Sequence, residues 1–369
     1  MGMIYRSISK RSSLAHHIVA MAVYVQRLRP KYRPSYTASG RTRSAPKRSS
    51  FLTPAFMRLF FRLLRTAVGL KTLAIDWRLF DSREIVEAVS INLGQLPSIL
   101  DSLTLCGPPA VTILETQPEL QHLTLYYTGR YNRGSSELER FPKDIIPLLR
   151  YLASDRPAAA KLAEGRPLQE FHLHKYYLTR DGFLDCLTSL RMTTCALRVL
   201  ELGLSHLDST IFGRISAALP DLVALCLQIP DAFSDFELLL SSQTPDVVRG
   251  FRGFRALEKL EMHLSCKEPP PKDAHVWDVL RQISRACSSL HTVSVAFEHF
   301  QGLKVLPIYI FSRPELSADS WNVQRQIHVS LRFSGPCTIP ELFGFTSVGE
   351  VLLDGHQDDL KFLDSSCRL

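Results

Sequence analysis

Short apolar phrases recur along the chain, with an aliphatic residue at the first, fourth and sixth positions in the form Leu-x-x-Leu-x-Leu. Side chains alternate along a strand, so the fourth and sixth residues face one side and the residues between them face the other. Most phrases follow a segment whose apolar residues have helical spacing, which predicts a strand–helix solenoid. The phrases begin at Leu70, Leu100, Leu120, Leu168, Leu197, Leu222, Leu257, Leu290 and Val348.

The segments between the phrases carry helix signals. Before the first phrase, Phe60, Leu63 and Leu64 recur at helical spacing, with Arg58 and Arg62 on the other side. Later segments begin with a residue whose side-chain oxygen can accept an unpaired backbone N–H. These caps are Ser82, Thr179, Asp208 or Ser209, and Asp273.

Two longer gaps interrupt the repeat. The gap before Leu168 contains the polar sequence TGRYNRGSSELER, which predicts an exposed insertion at about residues 128–141 and then a helix around Ile145–Leu152. The gap before Val348 contains alternating apolar residues at Val329, Leu331 and Phe333, which predict a further strand. Ten strands would then form one parallel sheet.

The charge is unevenly distributed. Of the 44 Lys and Arg residues, 15 lie in residues 1–75, whereas all 36 Asp and Glu residues follow residue 75. Residues 1–50, rich in Arg, Ser and Pro, predict a disordered basic arm before a folded domain of residues 51–369. Because the folded domain itself is mildly acidic, the pattern disfavours binding to nucleic acid.

Features of the sequence also restrict the cellular compartments in which the protein is expected. The eight cysteines include no Cys-x-x-Cys pair, and neither a glycosylation sequon nor a secretory signal is apparent. These features favour a cytoplasmic or nuclear protein, although the acid-free arm also resembles a mitochondrial presequence, which remains the alternative. The apolar run at Ile18–Val25 is too short to span a bilayer, so no membrane span is predicted.

The phrases resemble leucine-rich repeats, and their long, irregular spacing is similar to that of the repeats of fungal F-box proteins, over about residues 56–369. The resemblance implies an irregular α/β horseshoe with a parallel concave sheet and convex helices. It also implies a protein-recognition scaffold, the substrate-binding component of ubiquitin ligation, with an SCF-type ligase adaptor as a partner. Residues 1–55 contain no recognisable F-box, so the alternative is a stand-alone scaffold unconnected to ubiquitin.

The chain departs from the leucine-rich-repeat pattern after each strand, where the family usually has Asn. The turn hydrogen bonds that this Asn makes must be satisfied by other groups or by water. The corresponding positions are Arg78, Pro108, Thr128, Tyr176, Ser205, Pro230 and Ser265.

The residues between the aliphatic positions are expected on the concave face. They are small and hydroxylic in the early phrases, and they become aromatic, acidic and His-bearing in the middle ones. Tyr and His combine contact area with hydrogen bonding and Glu sets the charge preference, so a protein partner with a basic segment is the predicted ligand. The predicted partner-binding residues are Tyr126, His172, His174, Tyr176, Glu201, Glu261 and His263.

The same residues raise a metal hypothesis. His172 and His174 face one side of a strand and can bind zinc with Glu201 from the neighbouring strand. Isolated His-x-His strands are common and no further ligand pair is placed by the sequence, so we assign no metal ligand and no cofactor. Phosphate-binding loops, nucleophile elbows and metalloprotease motifs are missing from the sequence, so we predict that the protein is not an enzyme and assign no catalytic residue.

Overall fold

The computed structural model describes residues 16–24, 52–76, 89–107, 111–126, 142, 144–230, 245–266, 282–299, 304–312 and 322–330. The chain divides into two compact units. The first comprises residues 1–168 and 192–195, and the second comprises residues 169–191 and 196–369. Both units alternate parallel strands with helical connections, which confirms the predicted α/β repeat architecture.

The first unit contains five strands that pair in chain order, all parallel. A helix, α1, precedes the second strand, and a short helix and a 3-10 helix follow later strands. The elements are β1 (Ala20–Tyr24), α1 (Leu52–Thr66), β2 (Thr72–Asp76), β3 (Ser102–Cys106), α2 (Val111–Glu115), β4 (His122–Tyr126), β5 (Tyr151–Ser154) and the 3-10 helix Pro157–Ala163.

The second unit contains seven strands, of which the first five are parallel and pair in chain order. The last two are antiparallel to their neighbours. The elements are β6 (Glu170–Leu178), α3 (Arg180–Arg191), β7 (Val199–Leu204), α4 (Ile211–Ala218), β8 (Ala224–Ile229), α5 (Pro245–Arg252), β9 (Lys259–Cys266), β10 (Thr292–His299), β11 (Lys304–Ser312) and β12 (Asn322–Ser330).

The predicted phrases from Leu70 to Leu290 form β2, β3, β4 and β6 to β10, and their aliphatic positions build the core. In the phrase that forms β7, for example, Leu197, Leu200 and Leu202 are all at most 2% exposed. The start of each strand repeats one hydrogen-bond pattern. The carbonyl of Gln169 accepts the N–H groups of both Arg198 and Val199, at 2.7 and 3.0 Å, and the phrases at Leu222, Leu257 and Leu290 repeat this arrangement. One repeating backbone geometry therefore sets the register of the sheet.

Strand β1 lies within the predicted disordered arm of residues 1–50 and corrects that prediction for Ala20–Tyr24. Ala20–Tyr24 pairs with β2, and the carbonyl of Val19 accepts the N–H groups of Lys71 and Thr72. Ile18, Met21 and Val23 occupy the three aliphatic positions of a phrase that the basic composition of its surroundings concealed. Residues 1–15 and 25–50 of the predicted arm lie outside the described residues.

Strand β5 corrects the helix predicted around Ile145–Leu152. Residues 144–150 form turns, and Tyr151–Ser154 is a strand that begins with the same paired donation, from Arg150 and Tyr151 to Gln121. Pro147 disfavours a helical conformation at the preceding residue, and Ile146 has a φ of 50°. The predicted insertion at residues 128–141 is not among the described residues.

The final strands correct the prediction of a single ten-stranded parallel sheet. Val329 lies in β12, which is antiparallel to β11, and β11 itself was not predicted. Only residues 300–303 separate β10 from β11, and a parallel return needs a crossover of about a dozen residues or more. Leu331, Phe333 and the phrase at Val348 fall beyond the described ranges.

One of the two predicted helix caps in the described ranges is confirmed, because the hydroxyl of Thr179 accepts the N–H of Gly182 at 3.4 Å at the start of α3. The cap predicted at Asp208 or Ser209 is wrong, since Thr210 is the cap residue of α4 and its side chain makes no capping hydrogen bond. Asp208 instead accepts the N–H of Thr210 at 2.8 Å, in the turn before the helix. Ser82 and Asp273 lie outside the described ranges. Within those ranges, no helix is both long enough and apolar enough to cross a membrane.

Other side chains make turn hydrogen bonds of the kind that an Asn ladder would supply. The Ser205 hydroxyl donates to the carbonyl of Leu178 at 2.9 Å. The buried Gln117 amide accepts the N–H of Leu100 at 2.7 Å and donates to the carbonyl of Ser98 at 3.1 Å. In these two turns, a single polar side chain therefore makes the hydrogen bonds that the Asn of each repeat usually makes.

Candidate functional site

A row of chemically active side chains crosses the second unit on the sheet face opposite the core. His172, Glu201, Cys226 and Glu261 are paired partners in β6, β7, β8 and β9, and Ser294 continues the row in β10. Neighbouring strands lie about 4.8 Å apart, so each of these side chains stands next to the following one. We call these five residues the polar row.

The tightest contacts of the polar row lie between β6 and β7. Glu201 Oε2 lies 2.9 Å from His172 Nδ1, and Glu201 Oε1 lies 3.4 Å from His174 Nδ1. The two imidazole rings are stacked, with centroids 5.9 Å apart and planes inclined by 20°. The amide of Gln228 donates to Glu201 Oε1 at 2.7 Å. We call His172, His174 and Glu201 the histidine–glutamate cluster.

The carboxylate of Glu201 in the cluster is ionised although this side chain is largely buried. The side chains of His172 and Glu201 are both 17% exposed, and that of His174 is 27% exposed. Burial favours the neutral acid and is the largest single influence on the pKa of Glu201, but the hydrogen bonds and the charges of His172 and His174 together outweigh it. The pKa of Glu201 is consequently well below its usual range.

A second group of potential ligands adjoins the cluster. Donor atoms of Cys226, Glu261 and His263 lie within 4.8 Å of one another, and Lys259 Nζ lies 2.7 Å from Glu261 Oε1. Burial, followed by the negative charges of Glu201 and Glu261, raises the pKa of the Cys226 thiol. Cys226 therefore remains a neutral thiol, which is unsuited to act as a nucleophile.

Six of the seven predicted partner-binding residues lie in the second unit, and the side chains of five of these six are described. His172 and His174 lie in β6, Glu201 lies in β7, and Glu261 and His263 lie in β9. Tyr126 ends β4 in the first unit, and Tyr176 lies in β6, where only the backbone is described.

The predicted patch left out several residues of this face. They include Glu170, whose Oε2 lies 3.6 Å from His172 Nε2, together with Cys226 and Gln228. The alternation of each phrase places all three on this face, so the sequence did contain a signal for them. It contained none for the shift in register between β6 and β7, which falls between His172 and Tyr177.

Comparison with known proteins gives no family assignment, because no protein-family model matches the chain and no curated protein matches it significantly. The leucine-rich-repeat resemblance therefore depends on the recurring phrases and on the parallel strands that they form.

Proposed function

We propose that the protein is a recognition scaffold that binds a protein partner on the sheet face carrying the polar row. The observation that carries the proposal is the in-register alignment of ionisable side chains across successive parallel strands. Repeat proteins present extended sheet faces of this kind to their ligands. Glu170 and Glu261 are 46% and 32% exposed, so their carboxylates are accessible from solvent.

The charge of this face favours a basic segment as the ligand. Glu170, Glu201 and Glu261 are acidic, whereas the neighbouring Lys259 is already 2.7 Å from Glu261. Complementary charge increases the rate and the specificity of association more than the affinity itself. A partner segment containing Lys or Arg is therefore the ligand class that this surface fits best.

Reversal of charge on the exposed part of the face tests this proposal. We expect the double substitution Glu170→Lys/Glu261→Lys to weaken partner binding by about tenfold or more, with a loss of salt dependence. Asp185→Lys is the matched control, because Asp185 is an exposed acid on α3 in the same unit. Equal binding by the double variant and the control would contradict the proposed surface.

The more specific form of the proposal is a substrate-binding component of a ubiquitin ligase. The similarity of the phrases to the repeats of fungal F-box proteins supports it. In this form the repeats hold the substrate and another segment recruits the SCF-type adaptor. The alternative is a stand-alone scaffold, delivered to mitochondria if the basic N-terminal segment acts as a targeting signal.

Purification of the tagged full chain from native cells at moderate salt separates these forms. Recovery of the adaptor and a cullin supports the ligase form. Recovery of another partner without them, lost in Glu170→Lys/Glu261→Lys, supports a stand-alone scaffold. Imaging of a reporter fused to residues 1–55 tests mitochondrial delivery directly.

A further inference from the structure

We propose that the histidine–glutamate cluster is a binding site for a divalent transition metal of the zinc class, with His172, His174 and Glu201 as ligands. Two imidazole nitrogens and one carboxylate oxygen are a donor set that zinc accepts, and they leave one position of a tetrahedron open. The site extends beyond the proposed recognition function, because it requires no partner.

The separations of the donor atoms fit a single ion. Bonds of about 2.0–2.1 Å in a tetrahedron place neighbouring donor atoms about 3.4 Å apart. Glu201 oxygens lie 2.9 Å from His172 Nδ1 and 3.4 Å from His174 Nδ1, and donor atoms of all three residues lie within 4.8 Å of one another. An ion can therefore replace the shared protons with only small side-chain rotations.

The backbone explains why three ligands converge here. His172 and Glu201 are paired partners on neighbouring parallel strands, so their side chains project from the same face. His174 follows two residues later on β6, at the point where the register with β7 shifts. The irregular backbone brings a second imidazole to the carboxylate, and the ion would join β6 to β7.

Two neighbouring side chains lie beside the proposed ligands, where residues that orient metal ligands are usually found. Glu170 Oε2 lies 3.6 Å from His172 Nε2, the nitrogen that does not face Glu201. Gln228 donates to the carboxylate of Glu201 at 2.7 Å. A carboxylate behind a ligating histidine and a hydrogen bond to a ligating carboxylate are typical of metal sites, since they fix the tautomer and the orientation of the ligands.

The adjoining group of Cys226, Glu261 and His263 is a weaker candidate. The ammonium of Lys259 lies 2.7 Å from Glu261 Oε1, so a cation at Glu261 would have to displace it or tolerate its charge. The carboxylate of Glu201 in the histidine–glutamate cluster lies instead against the two imidazoles and the amide of Gln228. We therefore assign the ion to the first group.

Titration of the chelator-treated full chain with Co²⁺ and with Zn²⁺ tests the assignment. We expect one equivalent of Co²⁺ to give the visible absorption of a nitrogen- and oxygen-ligated ion without a thiolate charge-transfer band. Zn²⁺ should displace the cobalt and raise the thermal unfolding temperature, because it binds the folded state. No binding of either ion at micromolar concentration would overturn the proposal.

Substitutions locate the ion. We expect His174→Ala and Glu201→Gln to weaken binding beyond detection, and Glu170→Gln to weaken it by about tenfold through loss of an outer-shell contact. Circular dichroism checks that each variant folds, and the partly exposed Glu170 gives a readout that is less dependent on folding. His122→Ala, an exposed strand histidine of the first unit, is the control that should bind normally.

Two further outcomes would overturn the assignment. A thiolate band that disappears in Cys226→Ser would place the ion in the adjoining group. Unchanged affinity in both His174→Ala and Glu201→Gln would place it elsewhere. Failure of the recognition proposal is distinguishable from both, because metal binding is measured without a partner and Glu261→Lys alone changes the charge of the face without changing the contact between Glu170 and His172.

Discussion

The buried side chain of Arg166 links the turns at residues 142–145 to the end of the 3-10 helix Pro157–Ala163. It is 1% exposed, and its guanidinium donates to the carbonyls of Pro142, Ile145, Leu162 and Glu164 at 2.8 to 3.2 Å. Burial lowers its pKa, against the opposing charges of Asp144 and Glu164, but an Arg side chain stays protonated. A single residue therefore satisfies carbonyls from two turns of the first unit.

We predict that Arg166→Met lowers the free energy of unfolding by about 2–5 kcal/mol, because four carbonyls lose their donor in a buried site. Urea unfolding measures the change. Arg150→Met is the control, since Arg150 is exposed, and it should change stability by no more than about 0.5 kcal/mol. Equal effects of the two substitutions would show that the guanidinium does not stabilise these turns.

Cysteine reactivity provides a second test at the scale of the residue. Burial, together with the charge of Asp185, raises the pKa of the Cys186 thiol to about 12, whereas Cys195 is exposed. We predict that alkylation at pH 8 labels Cys195 in the native protein and labels Cys186 only after unfolding, as measured by peptide mass spectrometry. Labelling of both at similar rates in the native state would contradict the burial of α3.

The same shift predicts a dependence of stability on alkaline pH. An unfolded thiol ionises at about 8.5, so the unfolded state loses its proton before the folded state does. The contribution of Cys186 is fully present below that pKa and decreases as the pH rises toward 12. We expect Cys186→Ala to reduce the loss of stability above pH 9, and an unchanged alkaline slope would argue against the shift.

Close packing of two helices determines which glycines can be replaced. A Cβ at Gly250 in α5 would lie 2.6 Å from the nitrogen of Gly213 in α4, and 2.9 Å from Phe212. The rings of Phe212 and Phe251 are 4.4 Å apart between centroids, so the contact has no room to relax. A Cβ at Gly213 would lie 3.9 Å from the Cα of Gly250, which is an ordinary van der Waals contact.

We therefore predict opposite effects for two similar substitutions. Gly250→Ala should destabilise the protein by about 1–3 kcal/mol through overpacking. Gly213→Ala should be neutral, or stabilising by up to about 1 kcal/mol, because Ala has the higher helix propensity. Thermal unfolding of the two variants side by side measures the difference, and equal losses would contradict the close approach of α4 and α5.

The elements were predictable where a phrase contains strong aliphatic residues at all three positions. Leu197, Leu200 and Leu202 identify β7 without any further information. The phrase from Ile18 to Val23 has Met at its central position and lies in basic surroundings, and the phrase from Leu149 ends in Ser154. Both were missed because their contacts with the neighbouring strand, rather than their own pattern, make them strands.

The site was predictable to a similar extent. The pairing of His172 with Glu201 follows from the alignment of two phrases, so the sequence was sufficient to propose it. The alternation along β6 also indicated that His174 faces the same carboxylate, which it approaches to 3.4 Å. The shift in register between His172 and Tyr177 could not be predicted, because no local pattern of residues specifies it.

At the scale of the whole chain, the basic N-terminal segment contributes to the fold of the first unit. Strand β1 pairs with β2, and Ile18 and Met21 pack against the buried Leu63 of α1. Any role of this segment in targeting would therefore compete with a structural role, because removal of β1 would expose the edge of β2.

Truncation measures this structural role. A chain without residues 1–24 should unfold at a lower temperature and self-associate, because an exposed strand edge pairs with other chains. A chain without residues 1–15 retains β1 and is the control. Thermal unfolding and light scattering report the two effects, and identical behaviour of the two truncations would contradict the pairing of β1 with β2.

Site-specific photo-crosslinking in native cells tests the central claim most directly. A photoreactive amino acid at Glu170, Glu261 or Ser294 samples the sheet face of the second unit, and one at Asp185 or Arg214 samples its helices. We predict that the three sheet positions crosslink to one common partner, at peptides rich in Lys or Arg, and that the helix positions do not. Crosslinks to that partner from the helix positions alone would show that recognition does not use the polar row.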